Sequence, residues 1–99
     1  MSTPELLLHV RFRSALDLDE VTRVMEERAP DFAALEGLIQ KYHLQDAQTG
    51  EYAGVYLWAS KEAFTAYRDS ELRASIAAAY RTEGEPRIEV YRVLRPLRR

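Results

Sequence analysis

The stretch "KYHLQDAQTGEYAGVYLW", Lys41–Trp58, constrains this chain more than any other, because it fixes a hairpin and sorts the side chains of two strands into two faces. Asp46 can accept from the backbone amides that follow it, and Gly50 can take positive φ, so "DAQTGE" reads as the closing loop. A loop over Ala47–Gly50 sets Asp46 opposite Glu51, His43 opposite Gly54, Lys41 opposite Tyr56 and Ile39 opposite Trp58. A slip of one residue would move every side chain to the other face. In this register one face collects Leu38, Gln40, Tyr42, Leu44, Ala53, Val55, Leu57 and Ala59. The other carries Ile39, Lys41, His43, Tyr56 and Trp58. The nearly aliphatic first set is expected under the helices.

The remaining elements follow from periodicity. "ELLLHVRFR", Glu5–Arg13, alternates as a strand. Asp17, with Glu20 three residues on, has the form of a capping box that opens a helix. Pro30 either ends that helix or restarts it at a kink, and Phe32 and Leu35 extend the apolar stripe in favour of the second. Gly37 breaks the pattern before the hairpin. Ser60 is placed to cap "KEAFTAYRD", and Ser70 or Asp69 to cap "ELRASIAAAY". "EGEP" reads as a turn and Arg87–Leu94 as the last strand. The order βαββ(αα)β is that of an α+β, ferredoxin-like βαββαβ domain with a four-stranded antiparallel sheet, occupying residues 1–99 as one unit.

Leu6, Leu8, Val10, Phe12, Ile88 and Val90 join the helix-covered face in this reading. Leu7, His9, Arg11, Glu89 and Tyr91 join Tyr56 and Trp58 on the open one. Helices cover one face only, and an open face this apolar is expected to meet a second copy. The expected partner is therefore the chain itself, as a homodimer through the sheet.

Composition excludes several chemistries. The chain has no cysteine, so disulfides, thiolate catalysis and cysteine metal sites are out. The start "MSTPELLLHV" lacks a basic n-region, and no apolar run approaches the ~20 residues a membrane span needs. The expectation is a cytoplasmic protein without membrane partners. A net charge of −2 offers nucleic acid no bulk attraction. Residues 81–99 do carry six Arg against three Glu, but "RVLRPLRR" interleaves no aromatic residue for base stacking. There is no phosphate loop or nucleophile elbow. His9 and His43 lie on strands separated by a third, roughly 9–10 Å apart, too far to share a metal; a single histidine leaves haem ligation open.

The segment "EGLIQKYHLQDAQTGEYAGVYLWAS" resembles the signature of the YdhR-like putative mono-oxygenases: a Gly opening the second strand, a Lys-x-aromatic step, an acidic turn, then Gly-Val/Ile-Tyr-Leu-Trp/Phe. Here these are Gly37, Lys41 to His43, the loop to Gly50, and Gly54 to Trp58. The resemblance implies a dimeric α/β barrel, and among the activities of that superfamily a mono-oxygenase that needs no cofactor and acts on a small aromatic or polyketide-like molecule. The chain departs from the pattern at Gln40 and His43, where aromatic residues are common, and it contains no asparagine, which some oxygenase relatives use beside the substrate.

Such an enzyme needs an apolar pocket, a base, and donors for developing negative charge. His43 is the candidate catalytic base, since histidine titrates near neutral pH. Tyr56 and Trp58 would share its face. A pocket between sheet and helices would instead draw on Gln40, Tyr42, Tyr67 and Arg92, under a lid of Phe64, Leu72 and Ile76. Each of these residues has an equally simple reading as core or interface, and a non-catalytic binding protein or a purely structural homodimer of the same fold is the alternative.

Overall fold

The computed structural model describes residues 3–98. Strand β1 (Leu6–Ser14) is followed by helix α1 (Leu18–Ala33), strands β2 (Leu38–Gln45) and β3 (Tyr52–Trp58), helices α2 (Lys61–Arg68), α3 (Glu71–Ala74) and α4 (Ile76–Tyr80), and strand β4 (Thr82–Arg92). The four strands form one antiparallel sheet in the order β2-β3-β1-β4, the ferredoxin-like arrangement.

Local chemistry sets the helix starts as expected. Asp17 Oδ1 accepts from Glu20 N at 2.8 Å while Glu20 Oε1 accepts from Asp17 N at 3.1 Å, a complete capping box. Ser60 caps α2 and Ser70 caps α3 through Ala63 N and Arg73 N. Pro30 sits inside α1, which runs through it to Ala33. "ELRASIAAAY" divides at Ser75, the C-cap of α3 and the N-cap of α4.

The hairpin register holds from Lys41 to Gln45, with Lys41 opposite Tyr56 and His43 opposite Gly54. Asp46 Oδ1 accepts from Gln48 N and Thr49 N, and Gly50 has φ +77°. A bulge between Leu38 and Gln40 then places Leu38, not Ile39, opposite Trp58. The expected turn at "EGEP" is instead part of β4. Gly84–Pro86 bulge opposite Phe12 between the pairs Arg13–Glu83 and Arg11–Arg87, with Gly84 at φ +79°.

The expected faces need correction. Leu8 pairs with Tyr56 and Leu6 with Trp58, so the aromatic face of the hairpin is continuous with the β1 face that carries Leu8, Val10 and Phe12. The helices cover that combined face. Leu8, Val10, Phe12, Tyr56 and Trp58 are buried against Val21 and Phe32 of α1, Tyr67 of α2, and Ile76 and Tyr80 of α4. Tyr42, Leu44, Val55 and Leu57 lie on the open face with Leu7, His9, Arg11, Glu89 and Tyr91. Aromatic packing favours this choice: the tilted rings of Trp58 and Tyr67 have centroids 5.1 Å apart and those of Tyr56 and Tyr67 5.5 Å, and rings bury more area than the aliphatic set. Gly37 at φ +83° lets α2 approach closely, because a Cβ there would collide with Ala63 Cβ.

Candidate functional site

Alternate residues of β2 point Lys41 and His43 beneath the helices, and cross-strand pairing sets them against Tyr56 and Gly54. Gly54 has no side chain, and the Tyr56 ring occupies that space. A Cβ on Gly54 would stand 3.0 Å from Tyr56 Cε1 and 3.5 Å from its hydroxyl oxygen. Lys41, His43 and Tyr56 line a narrow cleft with Met25 of α1 and Ile76 and Tyr80 of α4. Its volume of about 20 Å³ holds about one water-sized group and has no room for a porphyrin.

The charges in this cleft are unusual. The Lys41 ammonium sits 3.4 Å from the Phe32 ring centroid and 4.6 Å from that of Tyr56. Arg28 lies over Phe32 at 5.5 Å and Tyr80 at 5.9 Å, donating to Ser75 Oγ and the Leu72 carbonyl. Neither cation forms an ion pair among the described residues. Burial, then repulsion from Arg28, pulls Lys41 down to about 7, while the ring faces act in the opposite direction by favouring the ammonium. Burial, then Lys41, lowers His43, so its imidazole is neutral at pH 7. Burial raises Tyr56, Tyr67 and Tyr80, which stay protonated as hydrogen-bond donors. The Tyr56 and Tyr67 hydroxyl oxygens are 3.5 Å apart, at the outer limit of a hydrogen bond.

A larger groove opens beyond Tyr67. It has a volume of about 430 Å³ and lies between β4 and the α2–α3 segment, floored by Leu8, Ile88 and Val90 and walled by Phe64 and Tyr67, with Arg68 and Arg73 beside it. Ile88 and Val90 remain 46% exposed, since the helices leave this edge of the sheet uncovered.

The residues expected to form a site divide between the faces. Tyr56, Trp58 and Tyr67 are buried together under the helices and His43 lies exposed at the edge of that same face, a correction to the expectation that His43, Tyr56 and Trp58 face the partner. Gln40 and Tyr42, expected under the helices, are exposed on the open face, because their cross-strand partners Leu57 and Val55 pair in turn with Leu7 and His9 on that face. Trp58 is fully buried in the core and lines neither cavity; its Nε1 has no hydrogen-bond partner among the described residues. Arg92 pairs with Leu6 at the end of β4 and stays exposed. Phe64 walls the groove and Ile76 the cleft, and Leu72 packs against the core. His9 lies on the opposite face from His43, hydrogen-bonded to Glu89. Among the described residues no group of three or more His, Asp or Glu is placed to hold a metal ion, and no helix is long and apolar enough to cross a membrane. Sequence reading missed Lys41, Arg28, Tyr80 and Arg73. Lys41 alone left a signal, sharing the parity of His43.

The fold recurs in solved structures. SnoaB, a cofactor-independent oxygenase from Streptomyces nogalater, superposes with a TM-score of 0.76 at 18% identity over 98% of this chain and 100% of that one. A putative antibiotic biosynthesis monooxygenase from Caulobacter crescentus CB15 gives 0.75 at 17% over 93% and 92%. A dimeric ferredoxin-like protein of unknown function from Thermobifida fusca gives 0.69 at 20% over 94% and 95%. No curated protein matches the chain. Residues 7–97 match the family described as Putative mono-oxygenase ydhR, and the chain belongs to that family.

Proposed function

We propose that this protein is a small-molecule mono-oxygenase of the cofactor-independent kind, acting on phenolic polycyclic compounds. The observation that carries this reading is a neutral His43 at the exposed mouth of a cleft beside a half-buried Lys41 without an ion-pair partner among the described residues, the two set opposite Gly54 and Tyr56. The ring system stays outside the narrow cleft with only its hydroxyl at the mouth, where the exposed His43 accepts the phenol proton on its free ring nitrogen. Burial, and secondarily repulsion from Lys41, keeps His43 unprotonated; as an ammonium Lys41 stabilises the phenolate, and the Tyr56 hydroxyl donates to the same oxygen. The phenolate supplies the electrons. A phenol with an open para carbon plus dioxygen gives a para-quinone plus water. One oxygen atom bonds the ring carbon in place of hydrogen, the other leaves as water, and all four electrons come from the substrate. The family and the likeness to SnoaB support this reaction class.

In this reading the protein assembles as a homodimer joined through the open face, each chain carrying its own complete site. Leu7, Tyr42, Leu44, Val55, Leu57 and Tyr91 form an apolar surface there, with Tyr42 53% and Tyr91 51% exposed in one chain. Two such sheets packing about 10 Å apart would bury it, and the Thermobifida fusca relative is dimeric.

Oxygen uptake with hydroxylated naphthalenes and anthracenes, without added metal or flavin, tests the reaction. Uptake matched one-to-one by quinone is expected, with His43→Ala lowering the rate by ~10²–10⁴ and leaving the dimer intact. No uptake across the panel, or an unaffected His43→Ala variant, overturns it. One observation favours a second reading: the cleft beside His43 is small and the larger groove has no base. A protein that only binds ligand would show calorimetric binding with no oxygen uptake.

A further inference from the structure

We propose that the groove between β4 and α2–α3 is a binding site for planar aromatic carboxylic acids, with the ring system on Leu8, Ile88 and Val90 and the carboxylate on Arg73. At about 430 Å³ the groove has the size of a small-molecule site, and its floor and inner wall are apolar. Flat aliphatic floor and aromatic wall, Phe64 and Tyr67, suit a planar ring. The class of the head group follows from charge. No acidic side chain lines the groove, whereas two guanidinium groups do. Arg68 is tied to Asp69 at 3.1 and 3.3 Å. Arg73 forms no ion pair among the described residues. Its backbone amide is fixed by Ser70 Oγ at 3.2 Å, and its side chain is half-buried. Its charge also reaches inward, since it acts to lower the values of both Tyr56 and Tyr67. A planar, unpaired guanidinium beside an apolar floor matches a carboxylate in a bidentate pair.

The site also joins the candidate chemistry. Tyr67 walls the groove while Tyr56 lines the His43 cleft, and their hydroxyls face each other at 3.5 Å. This inference narrows the substrate class of the proposed oxygenase to phenols that bear a carboxylate. The binding claim itself rests on the groove alone and stands whether or not His43 acts as a base.

Calorimetry and methyl and aromatic chemical-shift mapping with 2-naphthoate, set against the neutral 2-naphthamide, test it on the full chain. Naphthoate carries no phenol and cannot turn over, so the measurement is independent of oxygenase activity. Naphthoate is expected to bind at least ~10-fold more tightly than the amide, with shifts at Phe64, Ile88 and Val90. Arg73→Gln should reduce naphthoate to the affinity of the amide and leave the amide unchanged, and Arg73→Lys should recover part of the difference. Equal affinity for acid and amide, insensitivity to Arg73→Gln, or shifts confined to Tyr42 and Leu57 on the open face would each overturn the proposal. Oxygen uptake with neutral phenols alone, alongside absent naphthoate binding, would sink this inference and spare the oxygenase reading.

Discussion

The two faces of the sheet treat charge in opposite ways. On the open face Arg11 is saturated: its Nη2 reaches Asp46 Oδ2 at 2.6 Å and Glu51 Oε1 at 2.8 Å, and its Nε bonds Glu51 at 3.1 Å. His9 and Tyr91 both bond Glu89 on the same face. Beneath the helices Lys41 and Arg28 have ring faces and neutral oxygens but no carboxylate. Paired charges at a surface hold a structure together at low cost. Unpaired, half-buried cations weaken a fold and shift their neighbours, which is how candidate reactive sites are recognised. In the reading proposed above, the open face serves assembly and the covered face serves chemistry.

Substitutions on each face should separate these roles. The largest effect belongs to His43→Ala, whose loss of oxygen uptake with an intact dimer would sharpen the contrast. Leu57→Asp places a charge in the middle of the open face. It should give monomers in sedimentation at micromolar concentration, with far-ultraviolet dichroism and the His43-dependent rate retained; a persisting dimer would break the assignment.

Lys41→Met is next. The folded amine sits near 7 against an ordinary value of 10.5, so the unfolded chain binds more protons between those pH values, and wild-type stability rises with pH across that window. The variant should lose that rise, melt higher than wild type at pH 6, and turn over more slowly. A variant less stable at pH 6 would show that the ring contacts outweigh burial.

Asp46→Asn should have the smallest effect. The amide of Thr49, then Arg11 and the amide of Gln48, hold the Asp46 carboxyl well below the usual range. Its contribution is present above ~3.9, the unfolded value, and is lost as pH falls below it. Thermal melts should fall less between pH 5 and pH 2 in the variant than in wild type.

The hairpin's register was legible because its causes are local: Asp46 and Gly50 sit inside the loop they close. The helix caps at Asp17 and Ser60 were legible for the same reason. Which face turned inward was not. Both faces of the hairpin are apolar, and the choice depends on the register between β1 and β3, which are joined through a helix and another strand. It depends too on rings supplied from elsewhere, Phe32, Tyr67 and Tyr80. The bulge at Gly84–Pro86 hid because Gly and Pro signal a turn as readily as an irregular strand. His43 stood out as one of two histidines. Lys41 did not, since its environment is built by Arg28 and Phe32 on α1, and Arg73 acquires meaning only once α3 is laid beside β4.

The chemistry of the candidate site depends on Lys41 being desolvated within it. The chain has two lysines, Lys41 and Lys61, and Lys61 is exposed at the start of α2. A nuclear magnetic resonance titration with ¹³C-labelled lysine therefore reads Lys41 with an internal reference. A Lys41 midpoint near 7, well separated from that of Lys61, is the expected result. A midpoint at the ordinary lysine value of ~10.4 would contradict the site as described.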